Sequence, residues 1–258
     1  MIGEGRRENE TARLYTDLSL FTCRPDFGED ATNLFNLLTG ICQFQGTRKL
    51  IVAPFELRER ILALIQREAQ HAANGLPAHI VAKMNALVDP EAVEALYQAS
   101  QAGVKIDLIV RGICCLRPGV PGVSENITVR SIVDRFLEHS RICYFENACQ
   151  PEVFLGSADW MPRNFLRRIE VVFPIEDGIL RERVKSELLD LPLLDNLKAR
   201  LLQADGSYLG SGPAPGAKPC RSQHEYIALA AGERSNLHPP RRAKPRYPPV
   251  QILPRPPG

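Results

Sequence analysis

The sequence lacks any long hydrophobic run, and none of its apolar stretches reaches the roughly 18–20 residues that a membrane-spanning helix needs. Its first ten residues are charged and contain no apolar segment of the kind found in signal peptides. The 7 cysteines form no CxxC pair and have no histidine at a zinc-ligand spacing. These absences argue against a membrane span, a disulfide framework and a zinc site. They predict free thiols in the cytoplasm, with peripheral membrane association as the alternative location.

Charge is unevenly distributed along the 258 residues, although 32 basic and 30 acidic residues leave a net charge of only +2. Residues 206–258 contain 8 basic and 2 acidic residues together with 11 of the 21 prolines. This segment therefore carries +6, and the first 205 residues carry −4. The composition predicts an ordinary globular body followed by a basic, proline-rich and mostly disordered tail.

Hydrophobic spacing in the body predicts strands and helices in alternation. Short apolar strands over Lys49–Ala53, Ile80–Lys83 and Val104–Val110 are separated by two helical patterns. Asp89 caps the second helix and Pro90 occupies its first turn. Strands that alternate with helices in this way are typical of parallel α/β packing.

The second half of the body is richer in strands, and the sequence predicts an α/β fold with a mixed sheet flanked by helices. The further strands are predicted over residues 127–133, 142–145, 152–156 and 169–173. A helix is predicted over residues 179–191, and a short one over residues 223–231.

Arg111 directly follows the strand Val104–Val110. Ligands of parallel α/β sheets bind beyond the carboxyl ends of the strands, and a planar guanidinium can hold a phosphate through two hydrogen bonds. Arg111 is therefore a candidate phosphate ligand, with a surface arginine at a strand end as the alternative.

His139 precedes the predicted strand over residues 142–145, with Arg141 two positions after it. A loop that contains Gly156, Ser157 and Asp159 begins 17 residues after His139. A histidine, a nearby cation and a Gly-Ser loop form the half-site pattern of phospholipase D-like phosphotransferases. In that chemistry the imidazole attacks phosphorus or moves a proton, while the cation and the loop hold phosphoryl oxygens. Arg141 stands where lysine is usual, and Asp159 about where asparagine is expected. A structural or surface histidine is the alternative.

Five stretches of the sequence closely resemble the bacterial polyphosphate kinase family, and they are Thr11–Asp17, Ala82–Pro90, Leu108–Gly119, Arg135–Arg141 and Gly156–Asn164. Members of that family reversibly transfer the terminal phosphate of ATP to inorganic polyphosphate, through a phosphohistidine and with magnesium. They have two phospholipase D-like domains, each of which contributes one histidine to a shared site.

The resemblance implies that Tyr15, Arg111 and His139 occupy ATP-contacting positions, and that His139 is the second-domain histidine that assists transfer. In addition, Arg141, Ser157 and Arg163 are candidate phosphate contacts. The implied cofactors are ATP and magnesium, and no metal ligand is assigned within the chain.

The resemblance also divides the chain into three parts. Residues 1–46 correspond to the end of the first phospholipase D-like domain, residues 47–205 to the second, and residues 206–258 to the basic tail. The family's phosphorylated histidine and magnesium-linked arginines precede the Thr11–Asp17 stretch. The chain is therefore expected to correspond to about the C-terminal third of a full member and to be impaired alone.

Two other functions stay open at this point. One is a non-catalytic module that binds polyphosphate or nucleotide and complements another chain. The other is a dimeric phospholipase D-type phosphodiesterase that uses His139. The expected partners are ATP or ADP, polyphosphate, and a companion chain or second copy that supplies the remaining domains. No specific nucleic acid is expected.

Overall fold

The computed structural model describes residues 15, 16 and 18–232, and its main feature is a sheet of 9 strands. In spatial order the strands are β11 (Tyr208–Gly210), β10 (Ala199–Leu202), β5 (Ile127–Ile132), β4 (Lys105–Val110), β3 (His79–Met84), β7 (Arg141–Phe145), β8 (Glu152–Gly156), β9 (Glu170–Pro174) and β2 (Ile51–Ala53). The β3–β4 and β4–β5 pairs are parallel and the other pairs antiparallel, so the sheet is mixed.

The strand predicted over Lys49–Ala53 does not join the parallel group that the sequence pattern favoured. It forms β2, which pairs antiparallel with β9 at the opposite edge of the sheet. Helical connections specify that strands cross over, but they do not specify which strand is the neighbour. The parallel packing is therefore confined to β3, β4 and β5.

The helices flank this sheet, and they are α1 (Pro25–Leu38), α2 (Leu57–Ala73), α3 (Pro90–Gln101), α4 (Pro162–Leu166), α5 (Gly178–Arg183), α6 (Leu191–Leu194) and α7 (Ser222–Ala231). A π-helix over Val184–Asp190 connects α5 to α6. The predicted cap is present, because the Asp89 carboxylate accepts a hydrogen bond of 3.0 Å from the Ala92 amide. None of the helices within the described residues is long and apolar enough to cross a membrane.

Alternation along β3 divides the core between the two faces of the sheet. Ile80 and Ala82 lie in the larger core cluster, which includes apolar residues of α2 and α3. Val81 faces the other way and packs in a second cluster with Leu189 of the π-helix. Lys83 follows the same alternation onto this second face, where it is buried. The sheet is therefore covered on both faces, and one face carries a buried cation.

A separate two-stranded sheet attaches the N-terminal segment to the rest of the molecule. Its strands are β1 (Tyr15–Thr16) and β6 (Leu137–Glu138), which pair in parallel with Tyr15 opposite Leu137. At the other end, β11 and α7 lie within the part predicted as a tail, and α7 agrees with the short helix predicted over residues 223–231. The disorder predicted for residues 233–258 concerns positions outside the described residues.

Candidate active site

The topology brings the candidate residues to one edge of the sheet. Asn85 and Arg111 directly follow the parallel strands β3 and β4, so they lie at the same edge. Since β7 is antiparallel to β3, it starts at that edge, two residues after His139. β8 is antiparallel to β7 and ends there, just before Ser157 and Asp159. The strand directions alone therefore collect these residues from four separate stretches of sequence.

Tyr15 reaches His139 through the small parallel sheet. Because Tyr15 is paired with Leu137, its ring is placed beside the residue that follows β6. The Tyr15 and His139 ring centroids are 5.0 Å apart with an interplanar angle of 71°, an edge-to-face contact. This contact brings together two of the residues predicted to contact ATP.

Arg141 fixes the orientation of His139. Its Nη1 lies 2.6 Å from His139 Nδ1 and also donates to the His139 carbonyl oxygen at 2.6 Å. Arginine remains protonated in proteins and only donates, so His139 Nδ1 is the acceptor. This arrangement assigns the neutral tautomer with its proton on Nε2, the nitrogen suited to donate toward a phosphoryl oxygen.

Asp159 in turn holds Arg141. Its two carboxylate oxygens accept from Arg141 Nε at 3.2 Å and Nη2 at 3.0 Å, a two-point ion pair with side chains only 12% and 5% exposed. Asp159 also accepts from the backbone amides of Asn85 at 2.7 Å and Ala86 at 3.3 Å. The two departures from the usual lysine and asparagine therefore bind each other, since a planar guanidinium matches a carboxylate.

Arg111 joins the same network through Asn85. Arg111 Nε and Nη2 both donate to Asn85 Oδ1, at 3.0 and 2.6 Å. The two strand ends approach closely here, because the Gly112 amide donates to the Asn85 carbonyl oxygen at 2.8 Å and a Cβ on Gly112 would lie 3.0 Å from that oxygen. Asn85 was not singled out as a site residue from the sequence, although it lies in the Ala82–Pro90 stretch. Its position after the strand adjacent to β4 is the signal that could have identified it.

A cavity of about 410 Å³ lies beside this network. His139, Arg141 and Ser157 line it on the polar side, and Leu155 and Phe173 are among its apolar lining residues. The Ser157 hydroxyl donates a 2.5 Å hydrogen bond to the buried Glu170 and accepts one from the Val171 amide, so its hydrogen is engaged inside the protein. The cavity therefore combines a histidine and a cation with an apolar surface, a lining typical of ligand pockets.

Arg163 is the candidate that the structure sets apart. It is exposed on the short helix α4 and is not among the residues that line the cavity beside His139. The neighbouring Trp160 is buried in the core, 2% exposed, and its carbonyl oxygen accepts from the amides of Val88 and Asp89. The Gly156–Asn164 stretch thus contributes Ser157 and Asp159 to the site and Trp160 to the packing below it.

The carboxylates near the site do not offer a magnesium site. Asp159 is engaged by Arg141 and two backbone amides, and Glu138 is paired with Lys83. Within residues 15–16 and 18–232, no group of three or more histidine, cysteine or acidic residues could hold a metal ion. The donors at this edge are histidine and arginine groups, which suit phosphate oxygens and not a hard divalent cation.

The fold and the site define an α/β protein with a mixed sheet that carries a histidine and two arginines in one hydrogen-bond network at one edge. The polyphosphate kinase C-terminal domain 2 model matches residues 50–223, and the polyphosphate kinase C-terminal domain 1 model matches residues 1–45. The chain therefore belongs to the polyphosphate kinase family, which confirms the resemblance found in the sequence.

Individual relatives agree with this assignment. The polyphosphate kinase of Synechocystis sp. is 54% identical over 232 residues, 90% of this chain and 32% of that protein. The polyphosphate kinase of Pseudomonas aeruginosa is 53% identical over 230 residues, 89% of this chain and 33% of that protein. The chain thus spans about a third of the length of the curated relatives it matches.

A solved structure confirms the fold. The crystal structure of polyphosphate kinase from Porphyromonas gingivalis aligns with a TM-score of 0.82 and 40% identity, covering 86% of this chain and 34% of that one. The predicted α/β architecture, a mixed sheet flanked by helices, is therefore confirmed.

Proposed function

We propose that this chain provides the nucleotide-binding half of a polyphosphate kinase site, in which the terminal phosphate of ATP is exchanged with inorganic polyphosphate. The observation that carries the proposal is the network that links Asp159 to Arg141 and His139 on one side and to Asn85 and Arg111 on the other. This network holds the His139 imidazole and the Arg111 guanidinium, a group suited to bind phosphate, at the same edge of the sheet. The names of the relatives support the reaction.

In this proposal His139 donates from Nε2 to an oxygen of the transferring phosphate, while its other nitrogen is held by Arg141. Arg111 offers its remaining guanidinium hydrogens to a neighbouring phosphate, and Tyr15 packs beside the nucleotide. These groups are oriented before the substrate binds, so they stabilise the charge of the transition state without having to reorganise. Arg141 acts mainly by orienting His139, and Ser157 lines the wall of the cavity while its hydroxyl donates to Glu170.

In this proposal, the nucleophilic histidine and the magnesium contacts lie in the part of a full family member that precedes the segment corresponding to residues 1–46. Magnesium bound with ATP would neutralise phosphate charge there. The N-terminal segment supports such an arrangement, because Phe21, Phe35 and Ile41 are 93%, 67% and 73% exposed. Several large apolar side chains exposed in one segment suit a contact with another domain. We propose that the preceding domain, on the same or a companion chain, covers them.

The two alternative functions receive less support. The phosphodiesterase would need a second histidine half-site from a second copy, and the relatives that cover nine-tenths of the chain are named as kinases. The non-catalytic binding module differs from the proposed function only in the transfer step. Both use the same ATP contacts, so the first experiment concerns binding.

Titration calorimetry of ATP with magnesium tests the proposal on the intact chain. Arg111→Ala should weaken ATP binding by about 10- to 100-fold, because a charge-assisted hydrogen bond is worth roughly 1.5–3 kcal/mol. Arg117→Ala is the matched control, since Arg117 is an exposed arginine in the same connection after β4. No binding by the wild-type chain, or equal affinities for the two arginine variants, would contradict the proposed function.

A further inference from the structure

The C-terminal helix α7 contacts the loop that carries His139 at three points. Gln223 Nε2 donates to the Phe136 carbonyl oxygen and to Glu138 Oε1, both at 2.9 Å, and Gln223 Oε1 accepts from the Phe136 amide at 2.7 Å. Gln223 is 1% exposed, so these bonds are shielded from water. One side chain of α7 thus fixes the backbone three residues before His139 and the carboxylate directly before it.

Arg221 makes the third contact, at the beginning of the same loop. Its Nε and Nη2 donate to the two carboxylate oxygens of Asp134, at 2.7 and 2.6 Å. Asp134 is 3% exposed at its side chain, and the pair has the two-point geometry that suits arginine and carboxylate. The loop from Asp134 to Glu138 is therefore held at both ends by residues two positions apart in sequence.

The start of α7 is itself attached to the sheet. Buried Asp195 accepts from the Ser222 amide and hydroxyl, both at 2.8 Å, through one carboxylate oxygen. Its other oxygen accepts from backbone amides at residues 197–199, which lead into β10. Because α7 is anchored in this way, Gln223 and Arg221 act from a fixed base.

Glu138 is also held from below by the buried Lys83 of β3, and β6 pairs with the Tyr15–Thr16 strand. The segment before His139 is thus fixed by β1, by β3 and by α7. Of these three, only α7 belongs to the region that composition assigns to a basic tail. If this region were disordered, the loop from Asp134 to Glu138 would lose its contacts with Arg221 and Gln223.

We propose that Arg221 and Gln223 are positioning residues, which hold the loop of His139 so that its imidazole meets the nucleotide phosphates. The inference rests on the proposed function for its consequence, which is ATP affinity. Its structural part, the immobilisation of residues 134–139, can be measured without any nucleotide. The failure of one is therefore distinguishable from the failure of the other.

The experiment compares the full chain with Gln223→Ala, Arg221→Gln and the matched control His224→Ala, an exposed neighbour on α7. Amide hydrogen exchange is followed at residues 136–139, and ATP affinity is measured by calorimetry. Loss of the buried bonds should accelerate exchange at these amides and weaken ATP binding, each by about tenfold. The imidazole NMR signal of His139 should shift in both variants, whereas His224→Ala should resemble wild type.

Unchanged exchange and an unchanged His139 signal in Gln223→Ala would overturn the inference, as would an ATP affinity equal to that of a wild-type chain that binds. If no chain binds ATP but exchange still accelerates in Gln223→Ala, the proposed function fails and the positioning contact stands. Arg221→Gln decides the question if Gln223→Ala does not fold, because Arg221 is 28% exposed and the glutamine amide can still donate a hydrogen bond to Asp134.

Discussion

The ion pair between Arg141 and Asp159 gives the sharpest prediction, because the structure assigns it both a stabilising and an orienting role. Asp159→Asn keeps the size of the side chain but removes its charge. It also turns a donating NH2 group toward Arg141 Nη2, which is itself a donor, so this hydrogen bond is lost. The side chains are 12% and 5% exposed, so little water can compensate. Breaking a buried pair from one side costs about 3–5 kcal/mol.

We expect the lower part of that range, about 3 kcal/mol, because the asparagine carbonyl can still accept from the backbone amides of Asn85 and Ala86. For a chain of this size each kcal/mol lowers the melting temperature by about 2–4 °C, which gives a decrease of about 6–12 °C. Urea unfolding and thermal unfolding of the two proteins measure it. Asp26→Asn is the matched control, since its two-point pair with Arg24 is exposed and should contribute far less.

A double-mutant cycle then separates the pair from its surroundings. Arg141→Lys combined with Asp159→Asn gives the lysine and asparagine of the usual half-site pattern, and it removes the mismatch between donors. The loss in free energy of unfolding for the double variant should be smaller than the sum of the two single losses, by at least about 1.5 kcal/mol. Additive losses, or an Asp159→Asn variant within about 0.5 kcal/mol of wild type, would refute the reasoning.

Three further predictions concern the body that supports the site. Gly156→Ala should destabilise the chain by about 1–3 kcal/mol in urea unfolding, because the added Cβ would lie 2.5 Å from Val172 Cγ2. The control Gly28→Ala in α1 should be neutral or stabilising, since nothing lies within 4 Å of the added Cβ. Equal effects of the two substitutions would contradict the close approach at Gly156. Burial favours the neutral acid, but the hydrogen bonds from His79 and Thr128 outweigh it and hold the pKa of Asp107 well below its usual value of 3.8. The ionised Asp107 therefore stabilises the fold at pH values above about 4. The difference in free energy of unfolding between wild type and Asp107→Asn should be largest near pH 6 and should shrink below about pH 4. A difference that grows on acidification would contradict this prediction. Burial raises the pKa of Cys143 to about 12, so iodoacetamide at about pH 8 should modify the exposed thiols and spare this one; mass spectrometry showing equal rates would contradict its burial.

Much of the fold follows from local sequence. The strand predicted over residues 152–156 is observed as Glu152–Gly156, and the Asp89–Pro90 helix start is observed with its capping bond. The strand predicted over Val104–Val110 is observed as Lys105–Val110, so Arg111 follows its carboxyl end as predicted. These successes depend on hydrophobic period and on capping, which act over a few residues.

The remaining features depend on contacts between distant residues. Gln223 binds Glu138 from a segment whose composition resembles a tail, and composition does not report such a partner. In the same way, Arg141 and Asp159 each look like a departure from a pattern, and only their pairing in space explains both. The position of β2 was missed for a similar reason, because the pairing of an edge strand is decided by tertiary packing.

The most direct test of the central claim is NMR detection of the histidine imidazole groups during an ATP titration with magnesium. We expect a saturable shift of the His139 signal with retention of the Nε2 tautomer. We expect small or no shifts for His71, His79 and His224, which do not line the cavity. Arg111→Ala should weaken this response, and Arg117→Ala should not. Shifts at the other histidines with His139 unchanged would contradict the assignment of this site.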